Sequence, residues 1–350
     1  MDRFRNRIKI NQGILKRIAA IDEFKGLWHG SLRLSPQILG RLRASVLITS
    51  TGASTRIEGS KLEDEEVARL LKGLHAKAPK GRDEEEVAGY ADLLGRILDN
   101  HKTFKITEGQ VLQFHQILLH FSKKDHIHKG NYKSTDNVVV MRNEEGKEIV
   151  MFRPTPPHLV KKEMDDILFW THSEFEKKEL HPILLIANFI FEFLAIHPFK
   201  DGNGRMSRAL TNLLMLQSGY TYIPYVSMEE IIEERKVEYY LALRATQKNH
   251  KTEHENITPW AEFFLDVLIE QTKRARNIME LDQPEKLLSE KQLRVYSLFE
   301  QNKTSSKGEL YKLLEGMMPE VTIRQALSRL TALKLIERIG QGRSTRYRKI

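Results

Sequence analysis

IHPFKDGNGRMSRAL, residues 196–210, separates two apolar helical stretches and decides how the chain around it folds. Upstream, PILLIANFIFEFLAI (182–196) is almost wholly apolar, and downstream RALTNLLMLQSGY (208–220) returns to helical spacing. Pro198 disfavours the α conformation for the residue before it, so the first helix should end at His197. The pattern predicts two buried helices joined by a tight loop.

The loop carries residues that suit an anion. Gly202 and Gly204 allow the backbone to bend and to approach a ligand closely. Asn203, Gly204 and Arg205 should begin the next helix, where unpaired backbone N–H groups form a phosphate site. Arg205 and Arg208 are three residues apart on one helix face, so both can reach the same anion.

Asp201 and His197 complete this set of polar groups. A carboxylate next to a phosphate is explained if Mg²⁺ lies between them. His197 is then a base close to polyphosphate and metal, where it could deprotonate an incoming hydroxyl. The structural alternative is a helix–loop–helix with a basic surface turn and a buried histidine. GxxxxGK[ST] is absent from the chain, so the loop is not a P-loop.

Length and composition indicate a globular protein with one large domain and a smaller one, or with two to three modest domains. Of the 350 residues, 40% are hydrophobic and 29% are charged, and there is no cysteine for disulfides or thiolate metal sites. The first residues, MDRFRNRIKINQG, lack the apolar core of a signal peptide, and the most apolar run (182–199) contains polar residues. We therefore expect a cytoplasmic protein with no membrane segment.

The net charge of +9 is concentrated near the C-terminus. Residues 286–350 contain 14 Lys and Arg against 6 Glu and no Asp, a net charge of +8. This asymmetry suggests a separate basic module that binds nucleic acid, and a solvated basic surface is the equally weighted alternative.

Helical periodicity dominates the chain. A helix opened by Ser35 and Pro36 should run toward Gly59, which can end it. Further helices are predicted near 63–73, 84–99, 107–120 with Thr107 as cap, 158–177, 181–196, after the loop to 217, 228–247, 258–282, 289–300, 305–315 and 321–334. Two β-rich runs around a Gly-containing turn predict a hairpin at about 137–153, and two strand-like pieces flank Gly340 and Gly342.

The loop residues resemble a known family. HPFKDGNGRMSR matches the HPFx[DE]GNGRxxR signature of Fic proteins at every position, and the likeness extends over about 35–275. It includes GNYK (130–133), PTPP (154–157) and TPWAEFF (258–264). The resemblance implies a mainly α fold: a Fic helical core with a β-hairpin flap, plus a small C-terminal winged-helix domain. It divides the chain into an N-terminal helical region (1–110), a catalytic core (111–282) and a winged helix-turn-helix domain (286–350).

The same resemblance implies the chemistry. Fic proteins bind ATP with Mg²⁺ and transfer AMP to a Ser, Thr or Tyr hydroxyl of a protein. It implies His197 as the base, Asp201 as the metal ligand, and Arg205 and Arg208 as groups that neutralise the leaving pyrophosphate. The nucleotide-binding set it implies is Lys200, Asp201, Gly202, Asn203, Gly204, Arg205 and Arg208. Family members that act as kinases carry lysine at the position of Gly204, so glycine favours adenylyl transfer.

An inhibitory element is implied as well. Fic proteins often carry the pattern [ST]xxxE[GN] on an inhibitory helix, and Ser54, Glu58 and Gly59 match it within a helix at about 36–59. A carboxylate against Arg208 would occupy the arginine that should hold the γ-phosphate. Two alternatives stay open: a plain helix C-terminus capped by Gly59, and a Glu58 that positions water for removal of AMP.

The remaining features leave alternatives. The hairpin could hold an extended target segment by adding a strand, or be purely structural. His126 and His128 in DHIHKG are interpreted as loop residues rather than metal ligands. The C-terminal module could bind DNA or dock onto protein. Its outward residues would be Thr322, Arg324, Gln325, Ser328 and Arg329 on a recognition helix, with Arg343, Arg346 and Arg348 on the wing.

Two functions follow. The first is a Mg²⁺-dependent protein adenylyltransferase, inhibited by Glu58, with ATP and a protein target that could be the chain itself or a second copy in a homo-oligomer. The alternative is a DNA-binding regulator whose Fic core senses nucleotide or removes AMP.

Overall fold

A computed structural model describes residues 2–31, 36–74, 78–142, 148–280, 289–301, 304–332, 335–340, 342 and 345–349. The chain divides into two compact units, residues 1–276 and 277–350. None of the helices within the described ranges is long and apolar enough to cross a membrane.

Within its described residues, the first unit is mainly helical and contains one hairpin. Its α-helices are α1 (Gln12–Ser31), α2 (Pro36–Ile57), α3 (Asp64–Gly73), α4 (Arg82–Asn100), α5 (Glu108–Leu118), α6 (Pro157–Lys177), α7 (Pro182–Ile196), α8 (Asn203–Gln217), α9 (Met228–Glu234), α10 (Lys236–Gln247) and α11 (Thr258–Glu280), which crosses the boundary between the units. This agrees with the mainly α fold expected from periodicity.

Helices α7 and α8 form the centre of the first unit. Nearly every residue of α7 is buried, because it packs against α6 on one side and α8 on another. α8 also contacts α4, and α2 packs against α4 and α9. A helix apolar on all faces is stable only inside such a layer of neighbours.

Several ends follow the expected local rules. Thr107 accepts a hydrogen bond from the Gln110 backbone N–H at 3.3 Å and caps α5. α2 ends at Ile57, and Gly59 then adopts φ +107°, a left-handed conformation that glycine tolerates. Ser35, the expected cap of α2, lies outside the described residues.

The hairpin is present where expected. Strands β1 (Val139–Arg142) and β2 (Glu148–Phe152) pair antiparallel, with Val139 opposite Phe152 and a register irregularity between Val139 and Val140. Its turn, residues 143–147, lies outside the described ranges.

Two sequence predictions for this unit need correction. Residues 12–31 form α1, although no helix was predicted there. The single helix predicted for 228–247 is two helices, because Arg235 leaves the helical conformation at φ −108° and ψ 29°.

The described residues of the second unit form three helices and a small antiparallel sheet. Its elements are α12 (Glu290–Gln301), β3 (Thr304–Ser306), α13 (Lys307–Leu313), α14 (Glu320–Ala332), β4 (Ile336–Ile339) and β5 (Arg346–Lys349), and the strand order is β3-β5-β4. Strand β3 was not predicted. Residues 281–288, which include the predicted boundary between the core (111–282) and the winged helix-turn-helix domain (286–350), lie outside the described residues.

A core of its own stabilises this second unit. Val295 and Phe299 from α12 pack with Leu310, Ile323 and Leu330 from the next two helices. Ser306 and Glu309 form a capping box that begins α13.

Candidate functional site

The signature loop begins with a left-handed histidine. α7 ends at Ile196, and His197 adopts φ 51° and ψ 61° while its backbone N–H donates to the Phe193 carbonyl at 2.9 Å. A histidine with positive φ is uncommon, and such strain is often found where a side chain must point into a site. The chain re-enters a helix after Gly202, whose φ of +82° favours glycine.

Asn203 holds the loop closed from within. The Phe199 backbone N–H donates to Asn203 Oδ1 at 2.9 Å, and Asn203 Nδ2 donates to the Phe199 carbonyl at 2.8 Å. The Asn203 side chain therefore shapes the loop, and its backbone lies in the first turn of α8.

His197 is partly buried and electrically neutral. Burial, and then the nearby positive charge of Lys133, lower the pKa of His197 to about 4. At neutral pH the imidazole is therefore free to accept a proton.

Asp201 lies between two arginines and a backbone amide. Its Oδ1 accepts the Gly202 N–H at 2.7 Å, its Oδ2 is 3.0 Å from Arg205 Nη2, and Arg82 Nη2 lies at 3.7 Å. Burial opposes ionisation of this carboxyl, but Arg205, the Gly202 N–H and Arg82 outweigh it and hold the pKa of Asp201 below its usual value. The group is a carboxylate at neutral pH, as a Mg²⁺ ligand must be.

Arg205 is almost fully buried. Its Nη1 lies 3.2 Å from Glu86 Oε2, on α4. Within the described part of the chain, Arg205 Nε has no hydrogen-bond partner. Since buried donors are normally paired, an unpaired guanidinium N–H next to a helix N-terminus suits an anion.

Arg208 is held by the last turn of α2 and by the residue that follows the helix. Its Nε donates to Ser54 Oγ, and its Nη2 donates to the Ser54 carbonyl and to Glu58 Oε1, all at 2.8 Å. Although burial opposes the positive charge, Glu58 keeps the pKa of Arg208 above its usual value. Arg208 Nη1 has no hydrogen-bond partner among the described residues.

The Glu58 carboxylate also lies over the start of α8. A Cβ added to Gly204 would be 2.0 Å from Glu58 Oε1, so the carboxylate is placed directly against this glycine. About a third of the Glu58 side chain remains exposed. The carboxylate therefore covers the first turn of α8, where backbone N–H groups lack helical partners.

His197, Gly204 and Glu58 share one cavity of about 270 Å³. The rest of its wall comes from the hairpin side, from α7 and from α10: Val138, Leu194, Tyr239, Tyr240, Leu243, Arg244 and Gln247. Aromatic and aliphatic walls beside an anion cradle suit a nucleotide base next to its phosphates.

α2 is fixed to its neighbours just before Glu58. Arg56 Nε and Nη2 donate to the two carboxylate oxygens of Glu233 at 2.7 and 3.0 Å. Arg56 Nη1 donates to Asp64 at 2.9 Å. A bidentate pair of this kind sets orientation, so the end of α2 is held in register with α9 and α3.

Two further residues support the loop, and sequence reasoning missed both. His115 Nδ1 accepts the Gly130 N–H at 2.9 Å, which leaves Nε2 as the donor to the Asp201 carbonyl at 3.0 Å. The ring is stacked on Phe199 with centroids 3.7 Å apart. Its neutral state is favoured, because burial lowers the pKa of His115 to about 4.

Lys133 holds the same loop from another side. Its backbone N–H donates to the Pro198 carbonyl at 2.9 Å, and its Nζ donates to Asn137 Oδ1 at 2.7 Å and to the Ile196 carbonyl at 3.3 Å. Burial lowers the pKa of Lys133 to about 8. The GNYK likeness pointed to this stretch but assigned the lysine no role.

Lys200 differs from the other signature residues. It is exposed, and its Nζ donates to Thr135 Oγ1 at 3.1 Å. His126 and His128 are exposed as well.

In the second unit, the surface of α14 matches the sequence expectation in part. Arg324, Gln325, Ser328 and Arg329 are exposed, and Thr322 is half-buried. Of the expected wing arginines, Arg346 pairs with Glu309 at 2.9 Å, Arg348 pairs with Glu337, and Arg343 lies outside the described residues.

Comparison with known proteins finds likeness in sequence and fold. Residues 105–215 match the model of the Fic/DOC family. Over 227 residues the chain is 28% identical to protein adenylyltransferase fic-1 of Caenorhabditis elegans, covering 63% of this chain and 40% of that protein. It is 24% identical over 253 residues to protein adenylyltransferase Fic of Drosophila grimshawi, covering 72% of this chain and 47% of that protein. The chain thus spans less than half the length of either relative.

Solved structures share the architecture. A Fic family protein from Desulfovibrio desulfuricans superposes with a TM-score of 0.64 at 25% identity, covering 98% of each chain. The fic-1 structure from C. elegans gives a TM-score of 0.62 at 21% identity over 77% of this chain and 74% of that one. The matched segment contains the whole signature loop, and residues 105–215 are therefore similar to the Fic/DOC family.

Proposed function

We propose that the chain is a protein adenylyltransferase, which transfers AMP from ATP with Mg²⁺ to a Ser, Thr or Tyr hydroxyl of a protein. The observation that carries the proposal is the cavity at the start of α8, whose wall includes the neutral imidazole of His197, the Gly204 backbone and Glu58, the hydrogen-bond partner of Arg208. The relatives named as protein adenylyltransferases support the same activity.

His197 acts as the general base. The target hydroxyl oxygen attacks the α-phosphorus, the bond to the β-phosphate oxygen breaks, and the hydroxyl proton moves to the imidazole. A pKa held to about 4 ensures that the ring is unprotonated before the reaction.

The first turn of α8 and its two arginines bind the phosphates. Gly202 and Gly204 keep side chains away from the polyphosphate, and the free N–H groups of the turn face it. Arg205 and Arg208 each have an unpaired donor atom and neutralise the leaving pyrophosphate. The absence of a side chain at Gly204 favours adenylyl transfer.

Asp201 is the residue that would hold Mg²⁺. Its carboxylate is ionised and partly exposed, which fits a hard cation that prefers oxygen ligands. Bound Mg²⁺ would neutralise charge on the phosphates of ATP.

Glu58 inhibits the enzyme by occupying Arg208 and the mouth of the cradle. Its 2.8 Å contact to Arg208 and its position against Gly204 would exclude a correctly placed γ-phosphate. ATP displaced by about 1 Å is misaligned for in-line attack, which can reduce the rate on the order of 10²-fold.

The test compares variants in the transfer of labelled AMP from ATP. We expect Glu58→Gly to increase incorporation into protein, including the chain itself, by roughly 10²-fold, since it frees Arg208. Adding His197→Ala to that variant should abolish incorporation.

Glu65→Gln, which alters an exposed carboxylate nearby on α3, is the matched control and should leave the rate unchanged. Equal incorporation by wild type and Glu58→Gly would remove the inhibitory role. Full incorporation with His197→Ala would remove the proposed base. Mass spectrometry of Glu58→Gly expressed in cells identifies the modified residue and the target.

A DNA-binding regulator is the second candidate function, and the exposed polar face of α14 favours it. Three helices with a β3-β5-β4 sheet are the arrangement expected of a winged helix-turn-helix. Arg346 and Arg348 are already paired with Glu309 and Glu337, so the wing has less free positive charge for DNA phosphates.

DNA binding is tested by fluorescence anisotropy with a duplex at several salt concentrations. Binding through α14 predicts an affinity that falls as salt rises and that drops further in Arg324→Ala with Arg329→Ala. Lys312→Ala, an exposed change on α13, is the control. An affinity that does not depend on salt, or no binding, would leave a protein-docking role for this unit.

A further inference from the structure

A groove of about 880 Å³ lies at the opposite end of α7 and α8 from the signature loop. It is bounded by Pro182 at the start of α7 and by Leu214, Gln217 and Ser218 at the end of α8. The 15 residues of α7 rise 1.5 Å each, so about 22 Å separate the two ends. The groove shares no wall residue with the proposed nucleotide cavity.

Its wall is mainly aromatic and aliphatic, from Phe104, Ile106, Leu168, Phe169, Phe175 and Leu180. Phe169 is more than half exposed. The volume lies within the range of about 300–1,000 Å³ typical of sites for small organic molecules.

Three polar atoms on groove residues lack hydrogen-bond partners in the described part of the chain. They are Thr171 Oγ1, Glu174 Oε2 and Ser218 Oγ. Thr171 and Glu174 are both nine-tenths buried or more and lie three residues apart on one face of α6. Buried polar groups of this kind are normally paired, and leaving them unpaired destabilises a fold.

Glu174 determines which ligand would fit. Its Oε1 accepts a hydrogen bond from Lys177 at 2.9 Å, while its Oε2 is left without a donor. A neutral hydrocarbon would leave this oxygen unpaired, and an ionised carboxylate or other anion without a proton could not donate to it. The wall also contains three exposed basic residues: Lys105, His172 and Lys178. Because they do not attract a cation, the preference for a protonated amine depends on the buried Glu174 alone.

We infer that this groove binds a small organic amine with an apolar, preferably aromatic body, whose protonated nitrogen donates to Glu174 Oε2. The aromatic side chains then surround the body of the ligand, and Thr171 offers a second polar contact. Because α7 and α8 join this groove to the signature loop, the ligand would bind the two helices that position His197 and Arg208.

The test is direct binding, which does not depend on the proposed adenylyl transfer. 4-Phenylbutylamine, 4-phenylbutanol and 4-phenylbutyrate are titrated into the full chain by calorimetry. We expect saturable binding of the amine, with the alcohol and the acid at least tenfold weaker. Glu174→Gln should weaken the amine at least tenfold and leave the alcohol unchanged.

Glu176→Gln, on the exposed side of the same helix, is the matched control and should bind the amine like wild type. Leu180→Trp, which fills the groove from its wall, should abolish binding and keeps the test decisive if Glu174→Gln does not fold. Failure of the amine to bind, equal binding of amine and alcohol, or unchanged binding in Leu180→Trp would overturn the inference.

Discussion

The positions of the signature-loop residues could be predicted from the sequence because they depend on local spacing, while the catalytic roles of these residues stay predictions. The end of α7 and the start of α8 bring four polar residues close together: His197, Asp201, Arg205 and Arg208. His115 was missed, because its contacts with Gly130 and the Asp201 carbonyl arise only when α5 packs against the loop.

Glu86 and Arg82 show the same limit. Both lie on α4, more than a hundred positions from the loop, and they reach Arg205 and Asp201 through tertiary packing. Nothing in the local pattern of α4 distinguishes these charges from the other charged residues of its first turns.

At the scale of single residues, we predict that the charge of Lys133 influences the pKa of His197. The pKa of His197 is low mainly because the ring is buried, and the positive charge of Lys133 is the second cause. Removal of the Lys133 charge should therefore raise the pKa of His197. A base is lost as pH falls through its pKa, so in a Glu58→Gly background Lys133→Met should move the acidic limb of the rate profile upward by about one pH unit.

Lys133→Arg keeps the positive charge and is the control, with a limb close to that of the parent. The measurement is the pH dependence of kcat for AMP transfer. An acidic limb that stays in place in Lys133→Met would show that this lysine does not influence the base.

At the scale of elements, α1 and the break at Arg235 show what periodicity can and cannot supply. Ile14, Ile18, Ile21, Phe24 and Trp28 are the buried stripe of α1, and this helical spacing was present in the sequence. Its isolated glycines and charges obscured the pattern.

The break between α9 and α10 carried no such signal. Buried positions 228, 232, 239, 243 and 246 keep helical spacing through it, and no proline or glycine marks Arg235. The backbone there is decided by how each helix packs, with α9 against α2 and α10 against the hairpin.

At the scale of elements, we predict that alanine at two glycines of α4 changes the free energy of unfolding in opposite directions. A Cβ on Gly89 would lie 1.9 Å from the Leu118 carbonyl oxygen, which is backbone and cannot yield, so Gly89→Ala should lower the free energy of unfolding by about 2 kcal/mol or more. Gly95→Ala meets no atom within 4 Å and should raise it by about 0.5–1 kcal/mol.

Urea unfolding of both variants measures the difference. A Gly89→Ala variant as stable as wild type would contradict the close crossing of α4 with the end of α5.

At the scale of the whole molecule, the first residues of the chain close onto its core. Arg7 is buried, pairs with Glu192 on α7 and with Glu255 at 2.9 Å, and donates to Asn188. Although burial opposes ionisation of Glu192, Arg7, His250 and Arg3 hold its pKa well below the usual range.

Glu192, His250 and Glu255 also offer ligand atoms within 4.8 Å of one another, as a metal site would. Arg3 and Arg7 already bond to both carboxylates, so the cluster is an ion-pair network.

This network makes the prediction for the whole molecule. Arg7→Met should lower the free energy of unfolding by about 3–5 kcal/mol, because it removes the fully buried one of the two arginines that pair with Glu192 and Glu255. Arg5→Met removes a pair with Glu179 that is largely exposed and should cost less than about 1 kcal/mol. Denaturant unfolding of both variants tests the contrast, and equal losses would contradict it.

The contact of Ser54 with Arg208 has a consequence for how the proposed inhibition can be lifted. The hydroxyl and carbonyl of Ser54 hold the guanidinium from α2, the helix that ends one residue before Glu58. Because α2 also positions Arg208, removing the helix would disturb the arginine as well as remove Glu58. A truncation lacking residues 36–59 would therefore not reproduce the activity expected of Glu58→Gly. If Glu58 inhibits as proposed, rotation of its partly exposed side chain would free Arg208 Nη2 while α2 keeps its other contacts, and activation would then require neither proteolysis nor unfolding.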